Sequence, residues 1–186
     1  MANREPMMSN IGKSLVSEEM IQKRVKELGE ELTRDYAGKD VVLVCNLKGA
    51  CVFYADLARS LDLYMKMDFM SLSSYGDSFE TSGIVKINKD LDTSITDKHV
   101  IIVEDIMDSG LSLSHLKKIL MERKPASLKI CCMLDKPERR ECDITPDYTG
   151  FTIPNEFVVG YGLDYTGEYR NLPFVGVLKP EVYAND

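Results

Sequence analysis

Apolar and polar positions along this chain change their rhythm several times. Ile21, Val25, Leu28, Leu32 and Tyr36 recur at spacings of three and four and predict an amphipathic helix over 18–36. Ser17 stands before it as an N-cap, Glu18 and Glu19 occupy its first turn, and Gly38 ends it. Val41 to Leu47 is a short, nearly continuous apolar run between Asp40 and Gly49, which reads as a buried strand. Val52, Tyr54, Ala55 and Ala58 to Leu61 suggest a helix directly after Gly49. Met65, Met67 and Phe69 then alternate with Lys66 and Asp68, the pattern of a strand with one buried face.

Ser71 to Gly83 is rich in Ser, Gly, Asp and Thr and reads as a mobile loop, which Ile84 to Asn88 would close as a short ribbon strand. His99 to Val103 is another buried strand. Leu113, Leu116, Ile119 and Leu120 predict a helix over 111–123, ended near Pro125, and Ser127 to Leu134 is the next strand. After Pro137 the segments shorten: Tyr148 to Ile153, Phe157 to Gly160 and Phe174 to Leu178, separated by Pro and Gly turns. Residues 1–12 read as a loose N-terminal arm.

Alternation of strand and helix predicts an α/β fold, a parallel twisted sheet with helices on both faces. The last strands and the N-terminal arm would form a small hood. We expect one domain over 1–186, with its core at 37–136, a flexible loop at 71–83 and the hood over 137–186. In such sheets ligands lie beyond the carboxyl ends of the strands.

Composition narrows the partners. The chain has 186 residues, 44% of them hydrophobic, and a formal net charge of −7, which suits a globular domain and opposes a nucleic-acid or membrane-surface binder. Cys45, Cys51, Cys131, Cys132 and Cys142 include no C-x-x-C pair. They read as small, mostly buried side chains in a reducing compartment. Met1 to Gly12 has no signal-like apolar stretch, and a cytoplasmic location is expected.

The richest chemistry follows Val103: Glu104, Asp105, Ile106, Met107, Asp108, Ser109, Gly110, Leu111 and Ser112, and then a helix. Backbone N–H groups at a helix N-terminus attract anions. Gly110 permits close approach, Ser109 and Ser112 add hydroxyls, and Asp108 to Ser112 would cradle a phosphate. Glu104 and Asp105 would repel a bare phosphate but suit sugar hydroxyls or Mg2+. Taken alone, the string also reads as a solvated turn capped by Asp108 or Ser109. The apolar strand before it and the adjacent acid pair favour the anion site. Walker A and G-x-G-x-x-G strings are absent, and His99 and His115 fit no nucleophile or metal spacing.

Ile101 to Leu113 resembles the phosphoribosyl pyrophosphate signature of the type I phosphoribosyltransferases. From Val16 to Tyr183 the chain is similar to the hypoxanthine (hypoxanthine-guanine) branch in its bacterial-like form. The motifs are Leu47-Lys48-Gly49, Ser74-Tyr75-Gly76, the 104–112 turn, Leu134 to Pro137, and Phe157 to Tyr165 with Arg170. Ala50 stands where the family usually carries Gly, a small change.

The resemblance implies a transfer of phosphoribose from phosphoribosyl pyrophosphate to N9 of a purine, giving IMP or GMP and pyrophosphate. Glu104 and Asp105 would meet the ribose hydroxyls and Mg2+, and Asp108 would be the general acid/base near N7. Asp108, Ser109, Gly110, Leu111 and Ser112 would hold the 5′-phosphate. Leu47, Lys48, Gly49 and Arg170 would hold pyrophosphate, often with a cis Leu–Lys peptide, and Ser74 and Tyr75 would close over it. Lys136 would donate to the purine O6, which selects 6-oxopurines, because an ammonium only donates and adenine presents a donor there. Phe157 would stack on the base, Val158 would read its edge through the backbone, and Asp164 would hold Mg2+ or meet the exocyclic N2 region through its carbonyl. A homodimer or homotetramer is implied.

Other readings are a xanthine-preferring enzyme, a non-catalytic ligand-sensing regulator of the same fold, and a plain doubly wound binding domain. The regulator fits poorly with the −7 charge and with the presence of Asp108 and Lys136. The acidic charge also implies that phosphoribosyl pyrophosphate binds poorly without Mg2+.

Overall fold

The computed structural model describes residues 5–74 and 85–184. After a one-turn helix α1 (Glu5–Ser9) and strand β1 (Ile11–Val16), Ser17 caps α2 (Glu18–Asp35), its side chain accepting from Met20 N at 3.3 Å. Ile21, Val25, Leu28 and Leu32 all face inward, as their spacing requires. β2 (Val41–Asn46), α3 (Cys51–Ser60), β3 (Met65–Ser74), β4 (Val85–Lys89), β5 (His99–Met107), α4 (Leu111–Met121) and β6 (Ser127–Asp135) follow. A 3₁₀ turn at Pro137–Arg139 leads to β7 (Tyr148–Thr152), β8 (Val158–Val159), β9 (Val175–Leu178) and α5 (Pro180–Tyr183).

Six strands form the main sheet in the order β4-β3-β2-β5-β6-β7. All neighbours are parallel except β3 and β4, which form an antiparallel ribbon. Central strands carry apolar side chains on both faces, which explains their unbroken hydrophobic runs. Val41, Leu43, Cys45, Ile101, Val103, Cys131 and Met133 pack with α2 and α3. Val42, Val44, Val100, Ile102, Ile130 and Cys132 pack with α4 on the other face. The two sets interleave with period two along each strand.

The hood is a three-stranded antiparallel sheet in the order β1-β9-β8. Two expectations change here. The N-terminal arm, expected to be loose over 1–12, is ordered over its described part: Glu5–Ser9 is a helix and Ile11 opens a strand that pairs, as far as Val16, with Val175 to Leu178. The segment Tyr148–Thr152, expected in the hood, instead extends the main sheet, with Cys131 opposite Tyr148 and Asp135 opposite Thr152.

Two boundaries move as well. Ser71 to Ser74 continue β3 instead of opening the loop. Residues 75–84, the rest of the expected flexible loop, lie outside the described residues. β5 runs past Val103 to Met107, so Glu104 and Asp105 lie on a strand. The facing of β3 also differs: Met67 is 48% exposed and Asp68 is 2% exposed, because Asp68 accepts from Phe69 N and Thr93 N, both at 2.7 Å.

All five cysteines are free, with Cys45, Cys131 and Cys132 buried and Cys51 exposed. Among the described residues no helix is long and apolar enough to cross a membrane.

Candidate active site

The carboxyl ends of β2, β5 and β6 form one edge of the main sheet, where Glu104, Asp105, Asp108, Lys136 and the turn after β2 lie. Glu104 and Asp105 project from the last part of β5. Asn46, the final residue of β2, donates Nδ2–H to Glu104 Oε1 at 3.0 Å. Glu104 Oε2 and Asn46 Oδ1 are buried with no hydrogen-bond partner. Burial, then the charge of Asp105, pushes the Glu104 carboxyl well above its usual range, against the opposing bond from Asn46. Burial raises Asp105 to about 6, although its own Oδ1 accepts from Ile106 N at 2.7 Å and the Arg170 guanidinium pulls it down.

Two adjacent carboxyls that resist ionisation call for a cation or several hydroxyl donors. The orphaned Glu104 oxygen therefore fits Mg2+ or a sugar diol. Among the described residues no three acidic, histidine or cysteine side chains converge as a metal cage. Asp164, whose charge also raises Asp105, is held by other partners: its Oδ1 meets Arg170 Nη2 at 2.6 Å and its Oδ2 accepts from Gly167 N at 2.8 Å.

Past Met107 the chain turns into α4. Gly110 is the N-cap at φ +82°, the left-handed region, so neither Asp108 nor Ser109 takes the N-cap position. Ser109 Oγ accepts from Leu111 N at a long 3.4 Å. Glu104, Asp105, Asp108, Ser109, Gly110 and Ser112 line a cleft of about 180 Å3 at this helix N-terminus. Arg139, in the 3₁₀ turn, and Arg140, just after it, both reach Asp108. Arg139 Nε lies 3.0 Å from Asp108 Oδ1, and Arg140 Nη1 donates to the Asp108 carbonyl at 2.9 Å while its Nη2 pairs with Asp135.

Met107 and Asp135 are register partners on β5 and β6, so Asp108 and Lys136 are the next residues along adjacent strands. Lys136 N donates to the Met107 carbonyl at 2.9 Å. Its side chain is 6% exposed, and burial lowers the pKa of its ammonium, with Asp108 and Glu156 opposing that shift and Arg139 adding to it. Glu156 pairs with Lys13 of β1 at 2.8 Å, while its Oε2 is buried without a partner. Next to it, Phe157 is 41% exposed and Val158 is buried in the hood.

The turn after β2 completes the edge. The Leu47–Lys48 peptide is cis, and Leu47 N donates to the Met70 carbonyl at 2.8 Å. A Cβ on Gly49 would lie 1.7 Å from Asp105 Oδ2, and one on Gly162 would lie 2.1 Å from the Gly49 carbonyl oxygen. Arg170 Nη1 donates to the Gly162 carbonyl at 2.6 Å. The structure thus brings Gly49, Asp105, Gly162, Asp164 and Arg170 together, with Lys48 exposed beside them. Ser74 ends β3, and Tyr75 lies outside the described residues.

A sequence model described as phosphoribosyl transferase domain matches residues 13–166. The chain belongs to the phosphoribosyltransferase family. It is 55% identical over 179 residues to a hypoxanthine-guanine phosphoribosyltransferase of Bacillus subtilis, covering 96% of this chain and 99% of that one. A protein of the same name from Streptococcus pneumoniae is 51% identical over 95% of this chain and 98% of its own. A hypoxanthine phosphoribosyltransferase structure from Staphylococcus aureus superposes with a TM-score of 0.94 at 49% identity, covering 98% and 99% of the two chains.

Sequence reasoning about this phosphoribosyltransferase located the acid pair, the Asp108–Ser112 turn, Lys136 and the Leu47-Lys48-Gly49 turn on one edge. It missed Asn46, Arg139, Arg140 and Glu156, which touch or face those groups from other elements. The run Glu138-Arg139-Arg140 after Pro137 was the available signal for two of them. Asn46, a polar ending to an apolar strand, was the signal for another.

Proposed function

We propose that this phosphoribosyltransferase is a purine-salvage enzyme. It would join N9 of hypoxanthine or guanine to C1 of phosphoribosyl pyrophosphate, breaking the C1–O bond to pyrophosphate and yielding IMP or GMP. The observation that carries this reading is the placement of Lys136 and Asp108 one step beyond the paired Met107 and Asp135. A buried ammonium that can only donate answers a purine O6, and a carboxylate beside it answers the imidazole edge of the same base. The names of the curated relatives support it.

In this mechanism Asp108 takes the proton that the base loses as N9 attacks, and Lys136 orients the 6-oxo group. The first-turn N–H groups of α4, with Ser109 and Ser112, bind the 5′-phosphate. Glu104 accepts from ribose hydroxyls through Oε2, the oxygen that Asn46 leaves free. Lys48, Gly49 and Arg170 bind pyrophosphate, and Phe157 and Val158 hold the base. Mg2+, held at Glu104 and Asp105 with Asp164 nearby, would neutralise charge on the leaving pyrophosphate. A cytoplasmic location and a homodimer or homotetramer belong to the same proposal.

The test is a substrate panel with purified protein, Mg2+ and phosphoribosyl pyrophosphate, offered hypoxanthine, guanine, xanthine and adenine in turn. Nucleotide is expected from the first two and not from adenine. No nucleotide with any base would overturn the enzyme reading, and efficient use of adenine would overturn the role of Lys136.

A further inference from the structure

The ring of Phe157 has company. Tyr183, on the C-terminal helix α5, lies against it with ring centroids 5.0 Å apart and planes 24° from parallel. Tyr165 meets it edge-on, at 5.8 Å and 88°. These neighbours are themselves tied down. Tyr165 Oη donates to the Val182 carbonyl at 3.3 Å, and Leu178 N donates to the Phe157 carbonyl at 2.9 Å. At the start of α5, Lys179 N donates to the Asn10 carbonyl at 2.9 Å and Lys179 Nζ to the Ser9 carbonyl at 2.7 Å. Tyr165, Val182 and Tyr183 all pack on the hood cluster of Val159, Tyr169, Leu172 and Leu178.

A stacked ring offers two faces. Tyr183 covers one from the hood, and Phe157 still keeps 41% of its surface exposed. Lys136 and Asp108, the groups assigned to the base, come from the main sheet, and neither aromatic neighbour of Phe157 does. A surface Phe without a backing ring samples several rotamers, and a base would have to immobilise it on binding.

We infer that Tyr183 is a positioning residue for the purine: it backs Phe157 from the hood and holds the ring's free face in the orientation on which a base stacks. This rests on the function proposed above. The ring carries the role and the hydroxyl does not, so phenylalanine should replace it.

The experiment compares Y183A, Y183L and Y183F with the wild type, varying hypoxanthine and phosphoribosyl pyrophosphate separately and recording melting temperatures. Y183A should raise the hypoxanthine KM about three- to tenfold, the equivalent of one lost aromatic pair. Y183L, which keeps bulk without a ring, should remain impaired, and Y183F should restore the wild-type value. kcat and the KM for phosphoribosyl pyrophosphate should stay within about twofold throughout.

A lesion that merely loosened the hood would also disturb Arg170 and Gly162, so equal changes in both KM values would overturn the inference. An unchanged hypoxanthine KM in Y183A would do the same. A lowered one would show that Tyr183 fills the place of the base. A wild-type protein that makes no nucleotide would overturn the functional reading and this inference with it.

Discussion

Asp68 and the Glu104–Asp105 pair are buried acids on one sheet, and they live in opposite chemical circumstances. Asp68, on β3, is 2% exposed, yet both its oxygens are engaged: Oδ1 accepts from Phe69 N, Oδ2 accepts from Thr93 N, and Lys89 Nζ stands 3.9 Å from Oδ1. Burial pushes its carboxyl up, but the N–H groups of Phe69, Thr93 and Asp92 outweigh that and hold it below its usual range. Two strands away, Glu104 keeps an orphaned oxygen, and both members of the pair are pushed upward. Burial of a carboxylate therefore does not mark a functional site. A buried carboxylate oxygen left without a donor, beside a second acid, points to one, because its cost to the fold is offset when a ligand arrives.

The comparison can be tested hardest at Asp108, just beyond the pair. Asp108→Asn keeps the shape of the cleft but cannot accept a proton. Turnover with hypoxanthine should fall about a hundredfold or more, while calorimetric binding of IMP persists. Unchanged turnover would remove Asp108 from the chemistry.

Next in size is Asp68→Ala. It leaves the buried N–H groups of Phe69 and Thr93 without their acceptor, and urea unfolding should show a loss of about 2–4 kcal/mol. Activity per folded molecule should survive, since Asp68 touches no group of the site. A variant as stable as the wild type would contradict the structural role given to this residue.

Asp105→Asn should act with the opposite sign. The folded-state pKa of about 6 lies above the ordinary 3.8, so the folded chain holds a proton that the unfolded chain releases across that interval. In Mg2+-free buffer the wild type thus loses stability as pH rises through this window. The variant's advantage should be absent well below pH 3.8 and grow through the interval up to pH 6, with a further contribution from Glu104, which is relieved of its neighbour's charge. It should reach on the order of 2 kcal/mol after allowance for partial exposure. A variant less stable than the wild type at pH 7 would break the contrast with Asp68.

The same contrast shows what could be read from the chain. Period-three and period-four spacing delivered α2, and continuous apolar runs delivered β2, β5 and β6, because those elements are buried as their own residues demand. β1 escaped because Ile11, Leu15 and Val16 are separated by Gly12, Lys13 and Ser14, and its partner β9 lies some 160 residues away in sequence. Asp68 was read as facing solvent because alternation reports polarity, and a polar side chain can be satisfied inside. The Asp108–Ser112 turn was legible because a glycine and two serines opening a helix after an apolar strand form one contiguous string. Asn46, Arg140, Glu156 and Tyr183 act through neighbours that only the folded chain supplies.

Gly49 and Gly162 meet backbone to backbone, and a carboxylate oxygen of Asp105 fills the space beside them. The loop after β2 and the hood are thereby keyed to each other with a tolerance smaller than one methyl group. For anyone redesigning the base pocket through the hood, these two positions are a fixed datum. Libraries that keep both glycines can vary Phe157, Val158 and their surroundings while leaving the loop after β2, proposed above for pyrophosphate, in register. Libraries that vary either glycine shift the loop and the hood at once, so under the proposed roles an effect on base choice could not be separated from one on the leaving group.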